Sequence, residues 1–264
     1  MASGEIYDMV ESQRSQNIES IRKTIKVVEG LKELDGAGVS ELAEHLDIPK
    51  TTVHAHLTTL YDSELISKVG NEYRVGLKFV GLGEFAKNQF DLYSIATEEV
   101  DMLAEESQDI AQFMIEEHGL GMYLYKAEPP RGVQTTAGIG DRRPLHCTGL
   151  GKSVLSCLPE EHVREVIDRR GMPAKTEHTI TDLNELLEEL ATIREQGYAV
   201  DDQEIQSGLR CVAAPVNPDN TSVVGAVSVS GPTGRFNDDR LEAELPELVT
   251  SAANVIEINA RNVS

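Results

Sequence analysis

The stretch GVSELAEHLDIPKTTVHAHLTTLYDSELISKVGNEYRVG, Gly38 to Gly76, reads as two short helices joined by a turn and followed by a hairpin. Ser40 is placed to cap a helix running through Leu46, with Glu41 and Glu44 near its positive end. Asp47-Ile48 is the turn, and Pro49 suits the first position of a second helix expected to reach about Tyr61. Glu64–Lys68 and Tyr73–Val75 read as strands connected by Gly70-Asn71. On the second helix Val53, Leu57 and Leu60 share one face and need a core behind them. The opposite face holds Thr51, Thr52, Ala55, Thr58 and Thr59, flanked by His54. Short side chains let a helix backbone sink into the major groove, where threonine offers a hydroxyl to a base edge or phosphate and a methyl to thymine. Lys50 sits at the end whose dipole favours a phosphate. Lys68 and Arg74 of the hairpin complete the face, with Arg22 and Lys23 expected nearby. The order matches a winged helix-turn-helix, so double-stranded DNA is the expected partner. The blander alternative is a small helical bundle with a Thr-rich exposed face. His54 and His56, two apart, face different ways and make no metal pair.

Upstream, residues 1–16 form a polar lead-in. Ile18, Ile21, Ile25, Val28 and Leu31 then step by three and four, predicting an amphipathic helix to about Leu34. Asp35-Gly36-Ala37-Gly38 ends it. Downstream, Leu77–Phe90 turns helical again and bridges to a second half of different character. There a helix at Ile95–Glu106 leads into strands at Ile110–Glu116 and Met122–Lys126. Helices follow near Gly151–Leu158 and Glu161–Arg170, and over Leu183–Ile193. Strands at Tyr198–Asp201, Leu209–Val216 and Val223–Ser230 precede a last helix with Leu241, Leu245, Leu248, Ala252 and Val255 on one face. Helices and strands mix without regular alternation, which predicts an α+β fold with a largely antiparallel sheet. The expected organisation is a DNA-binding domain over 17–78, a linker helix over 79–92 and a second domain over 93–260.

The 264 residues include 40% hydrophobic side chains, enough for real cores, yet the formal net charge is -21. The first 82 residues carry -4 of it and the remainder -17. The acid is spread over every predicted helix, and lysine is scarce, a pattern that suits a chain adapted to molar salt better than an acidic docking surface. At ~1 M salt the Debye length is about 3 Å, so distant carboxylates hardly repel phosphates and local contacts decide. No run of 18 apolar residues and no signal peptide are present, so a cytoplasmic protein without a membrane span is expected. Cys147, Cys157 and Cys211 form no CxxC pair, against a disulfide framework or a structural zinc site.

LHCTGLGKSVL (145–155), GYAVDDQEIQSGLRCVAAPV (197–216) and AVSVSGPTGRF (226–236), in this order after the helix-turn-helix, resemble the IclR family of transcriptional regulators, over roughly Ile18 to Val255. The acidic composition is similar to that of haloarchaeal members. The resemblance implies an N-terminal winged helix, a linker helix and a C-terminal GAF-like effector-binding domain, in homodimers or dimers of dimers. It further implies a small-molecule effector, an intermediate of carbon metabolism, in a pocket lined by Gly149, Leu150, Asp201, Leu209, Cys211, Ser228 and Ser230. The residues are compatible: Ser228 and Ser230 point the same way on a strand, and Gly149 at a helix start offers bare N–H donors to a carboxylate. Read without the family, Cys211 and both serines are ordinary sheet packing. One departure stands out, Ala55, where many relatives carry arginine beside the histidine; the operator sequence is left open.

Sharper motifs fail. GLGKS (149–153) would need glycine where His146 stands to be a P-loop. GLGEFA (81–86) fits a loose dinucleotide motif but follows a wing strand, so a linker-helix start is expected. His146 and Cys147, read as neighbours on a strand, would face apart, and Cys211 with Asp201 lacks a base. The expectation is a regulator and not an enzyme, with no catalytic residue, metal or cofactor. The alternatives are a thiol-based redox-sensing regulator and, more remotely, a small-molecule enzyme.

Overall fold

The computed structural model describes residues 18–129, 137–218 and 224–261. The chain divides into two compact units, residues 1–86 and 87–264, each considered by itself.

In the first unit α1 (Glu19–Glu33), α2 (Val39–Leu46) and α3 (Lys50–Asp62) pack around Val27, Leu31, Leu42, Val53, Leu57 and Leu60. The strands β1 (Ile66–Val69) and β2 (Glu72–Val75) pair antiparallel, Ile66 opposite Val75. Ala37 exchanges backbone hydrogen bonds with Tyr73, giving the wing a one-residue third strand that the sequence did not suggest. Several expectations shift. Ser40 lies inside α2, whose N-cap is Gly38 with no side-chain cap. Asp47 closes α2 in the left-handed conformation (φ 51), which Asp tolerates. Pro49 is the N-cap of α3, not its first residue. The first wing strand begins at Ile66 because Glu64 is left-handed (φ 61) and still belongs to the turn. The apolar stripe of α1 is only half used: Leu31 is buried, while Ile18, Ile21 and Ile25 remain exposed. The following helix, α4 (Lys78–Lys87), buries no residue and contains the GLGEFA segment.

The second unit opens with α5 (Asp91–Ser107). Its sheet comprises β3 (Ile110–Glu117), β4 (Leu120–Ala127), β5 (Arg142–Arg143), β6 (Ala199–Asp202), β7 (Leu209–Val216) and β8 (Gly225–Pro232). The order is β5-β4-β3-β8-β7-β6, and every neighbouring pair is antiparallel. Alternate residues supply the two faces. Ala111, Phe113, Val212, Ala214, Val227 and Val229 form a core with α5 and the C-terminal α9 (Leu245–Arg261). The other face, with Met114, Cys211, Ala213 and Ala226, is covered by α6 (Gly149–Cys157), α7 (Glu160–Arg170) and α8 (Leu183–Gln196). A π-helical turn, Arg240–Glu244, precedes α9. Leu245 and Ala252 of the expected face are buried and Leu241 and Leu248 pack half-buried against the same core, while Val249, Ala253 and Ile256 widen that face beyond the π turn. Arg240 anchors this turn, its Nη1 2.9 Å from buried Asp109. Among the described residues no helix is long and apolar enough to cross a membrane.

Candidate functional site

Two constellations bear on function, one in each unit. On α3, Val53, Leu57 and Leu60 are buried, and Lys50, Thr51, His54, Ala55, Thr58 and Thr59 are exposed, with Thr52 half-buried. The hydroxyls of Thr58 and Thr59 donate to the carbonyls of His54 and Ala55, at 2.9 and 3.0 Å. Their protons being used, they present lone pairs outward, suited to the amino groups of adenine or cytosine. Lys68 on β1 rests its ammonium 4.9 Å from the Tyr73 ring, and Arg74 on β2 lies 3.4 Å from Glu72. Arg22 and Lys23 each approach Glu19 at 3.8 Å. His56 points away from the exposed face and meets Thr24 of α1 at 2.8 Å.

In the second unit, α6 starts hard against the sheet. A Cβ on Gly151 would fall on the Leu145 carbonyl, and one on Gly149 would meet Cys211 Sγ at 3.1 Å, so the two glycines permit the approach. Thr148 caps the helix by accepting from the Gly151 N–H at 2.9 Å. The N–H groups of Gly149 and Leu150 keep no acceptor among the described residues. Asp201, Cys211 and Ser230 face one another in a row across β6, β7 and β8. The gap between row and helix is a cavity of about 130 Å³. Gly149, Leu150, Asp201, Leu209, Cys211 and Ser230 all line it. Ser228 does not: it is fully buried one row away, opposite Ala213 and Gln112, with no hydrogen-bond partner for its hydroxyl. A residue two positions along a strand shares the face of Ser230 but sits one row further from the opening. Gln112, Tyr123, Arg143, Thr148, Lys175 and Ile205 also line the cavity, and sequence reasoning missed them. Only strand register, unknown in advance, could have brought Gln112 and Tyr123 there.

Behind this wall Lys152 of α6 is 1% exposed, its ammonium donating to Glu204 (2.5 Å), the Val200 carbonyl (2.7 Å) and Glu189 (2.8 Å). These two carboxylates hold the ammonium charged, against the cost of burial. Asp201 receives the Glu204 N–H at 2.7 Å. Burial first, and then the Glu204 charge, push the Asp201 carboxyl up to about 7. Asp201 therefore holds a proton that the unfolded chain, with its ordinary value near 3.8, has already lost. Its contribution to stability is fully present below about pH 4 and disappears as pH rises through about 7. Asp201→Asn is expected to flatten that part of the stability-versus-pH curve and to unfold at higher denaturant than the parent at pH 8. Urea titrations at pH 5, 6.5 and 8 check this; an unchanged pH dependence would refute it.

The thiols fit packing better than chemistry. Burial drives Cys147 and Cys211 up to about 12, with Asp201 adding to both, while hydrogen bonding with the Ser230 hydroxyl pulls Cys211 back in part. Cys157 is raised as well, chiefly by burial. Thiols kept protonated are poor nucleophiles and poor redox sensors. His146 and Cys147 lie in a turn and not on a strand, and they still do not meet. His146 Nε2 faces the Pro173 carbonyl and Cys147 faces that of Pro144. Among the described residues no group of three or more His, Cys, Asp or Glu side chains could hold a metal ion.

Residues 20–70 match the IclR helix-turn-helix domain, and residues 85–258 match the C-terminal domain of the bacterial transcriptional regulator IclR. The probable HTH-type transcriptional regulator ArcR of Halobacterium salinarum is 33% identical over 247 residues, covering 92% of this chain and 94% of its own. The acetate operon repressor of Salmonella typhimurium is 30% identical, over 90% and 89% of the two chains. The crystal structure of the Thermotoga maritima IclR, 25% identical, superposes with a TM-score of 0.76, covering 92% of this chain and 99% of that one. These relatives are regulators rather than enzymes. The chain belongs to the IclR family, transcriptional regulators that join a helix-turn-helix DNA-binding domain to a C-terminal effector-binding domain.

Proposed function

We propose that α3 enters the major groove of an operator, with Lys50, Thr51, Thr52, His54, Ala55, Thr58 and Thr59 toward the bases and phosphates. Lys68 and Arg74 of the wing hold the flanking backbone. The carrying observation is the division of α3 into a wholly buried apolar side and an exposed side of short residues. The working unit is a homodimer. Ile18 at the N-cap of α1, Ile21 and Ile25 within it, and Leu77, Val80, Leu82 and Phe85 at α4 are large apolar side chains left in solvent on the DNA-binding unit. So much exposed apolar surface supports association, and two-fold pairing would match two half-sites.

The cavity beside α6 takes a small effector, with Gly149, Leu150, Asp201, Leu209, Cys211 and Ser230 as its wall. A likeness to an acetate operon repressor supports an intermediate of carbon metabolism. The effector shifts DNA affinity only by its differential affinity for two placements of the paired winged helices. A net charge of -21 and the haloarchaeal relative support work in a salt-rich cytoplasm.

Selection of bound duplexes from a random pool by the full chain in molar KCl tests the reading. Fluorescence anisotropy across KCl concentrations then tests its electrostatics. Three cations per winged helix predict a log–log slope of only about -3 per protomer. Absence of any preferred sequence, or a slope of about -8 or steeper per protomer, would refute it.

A further inference from the structure

The cavity is cationic in an anionic protein. The chain carries 24 basic against 45 acidic residues, yet among the described residues the charged side chains lining the cavity are Arg143, Lys175 and Asp201, two bases against one buried acid. Arg143 comes no nearer to a carboxylate than 3.9 Å from Asp141, and its guanidinium makes no hydrogen bond within the described residues. Lys175, at the rim, has no side-chain acceptor there either. Gln112 is 3% exposed, and its Nε2 has no hydrogen-bond partner among the described residues. A buried amide N–H without an acceptor costs free energy unless something arrives to accept it. At about 130 Å³ the space is well below the roughly 300–1,000 Å³ of pockets for drug-sized ligands, so the occupant has few heavy atoms.

We infer that the cavity selects a short aliphatic dicarboxylate: Arg143 and Lys175 neutralise its two charges, and Gln112 Nε2 donates to one of its buried oxygens. A monocarboxylate leaves one of the two cations without a counter-charge. Asp201 does not oppose the dianion strongly, because burial already favours its protonated form, which donates rather than repels. The inference rests on the proposal that this cavity is the effector site.

The test uses the full chain at pH 6.5 in KCl, with calorimetric titration and thermal unfolding against succinate, glutarate, butyrate and inorganic phosphate. Succinate or glutarate is expected to bind and raise the unfolding temperature. Butyrate, as long as succinate but with one carboxylate, and phosphate, with charge but no chain, are expected to bind far more weakly. Arg143→Gln should weaken dicarboxylate binding by about 10- to 100-fold, the worth of a hydrogen bond to a charged group. Gln112→Leu should also weaken it while leaving the unliganded unfolding temperature equal or higher, since an unsatisfied donor is removed; a merely structural glutamine would show the reverse. Butyrate or phosphate binding as well as succinate, no binding by either dicarboxylate, or indifference to Arg143→Gln would overturn the proposal. Leu209→Trp, which fills the cavity from its edge, separates the two levels of failure. If it abolishes binding while butyrate equals succinate, only the dicarboxylate assignment falls. If it leaves binding intact, the cavity is not the effector site and both fall.

Discussion

Replacing Lys152 with methionine is expected to destabilise the effector-binding unit by about 3–5 kcal/mol, the usual cost of breaking a buried ion pair from one side. Methionine keeps the length and apolar stem, so the change isolates the charge. The Lys152 ammonium meets two carboxylates and a carbonyl, joining α6 to α8, to β6 and to the turn after it. Without it Glu204, already raised by burial, loses the partner of its Oε1 while its Oε2 has none to begin with. At roughly 2–4 °C per kcal/mol for a domain of this size, the unfolding temperature falls by some 6–20 °C. Adding Glu204→Gln to Lys152→Met should recover part of the loss, since the orphaned charge is then gone. Urea unfolding followed by far-UV circular dichroism measures both variants. A loss below about 1 kcal/mol for Lys152→Met would mean that packing alone holds α6 in place.

Ala55→Glu is expected to leave the folded chain within about 0.5 kcal/mol of the parent, because Ala55 is exposed and glutamate is a good helix former. On DNA the same change brings a carboxylate against phosphates and base acceptors. Like charges juxtaposed at an interface cost several kcal/mol, so affinity should drop by about two orders of magnitude or more. Ala55→Arg makes the complementary case, with tighter binding and a new preference for guanine, the base whose O6 and N7 suit a guanidinium. Anisotropy titrations on a selected duplex and on one with guanine changed at single positions read both. Unaltered affinity in Ala55→Glu would remove α3 from the groove.

Much of this was legible because local rules set it. The 3.6-residue spacing of Val53, Leu57 and Leu60 fixed which side of α3 is buried, and Gly70-Asn71 fixed the hairpin. The strand Leu209–Val216 was read to the residue, since its short apolar run suits a buried strand and Pro215 within it disfavours a helix. What failed depended on distant partners. The exposed half of the α1 stripe has the right period but no neighbour within the unit. Ser228 and Ser230 share one strand face, and periodicity alone does not tell that Ser230 reaches the cavity while Ser228 lies buried one row along. Gln112, Tyr123 and Arg143 stand 11 and 20 residues apart along the chain, and only β-pairing register brings them to one opening. Lys152 read as the tail of a failed phosphate loop; its burial follows from two acids far along the chain.

The contact between α1 and α3 carries a consequence for how this protein diverges. Thr24 spends its only hydroxyl proton on the Ser20 carbonyl, 2.9 Å away, so in the 2.8 Å contact with His56 the imidazole Nδ1 must be the donor. That fixes one tautomer and ties the pitch and roll of α3 to a residue in the helix behind it. Drift at Thr24 would therefore re-aim the whole row of threonines at once, and taste for one operator over another can change from the rear, with every base-facing side chain untouched.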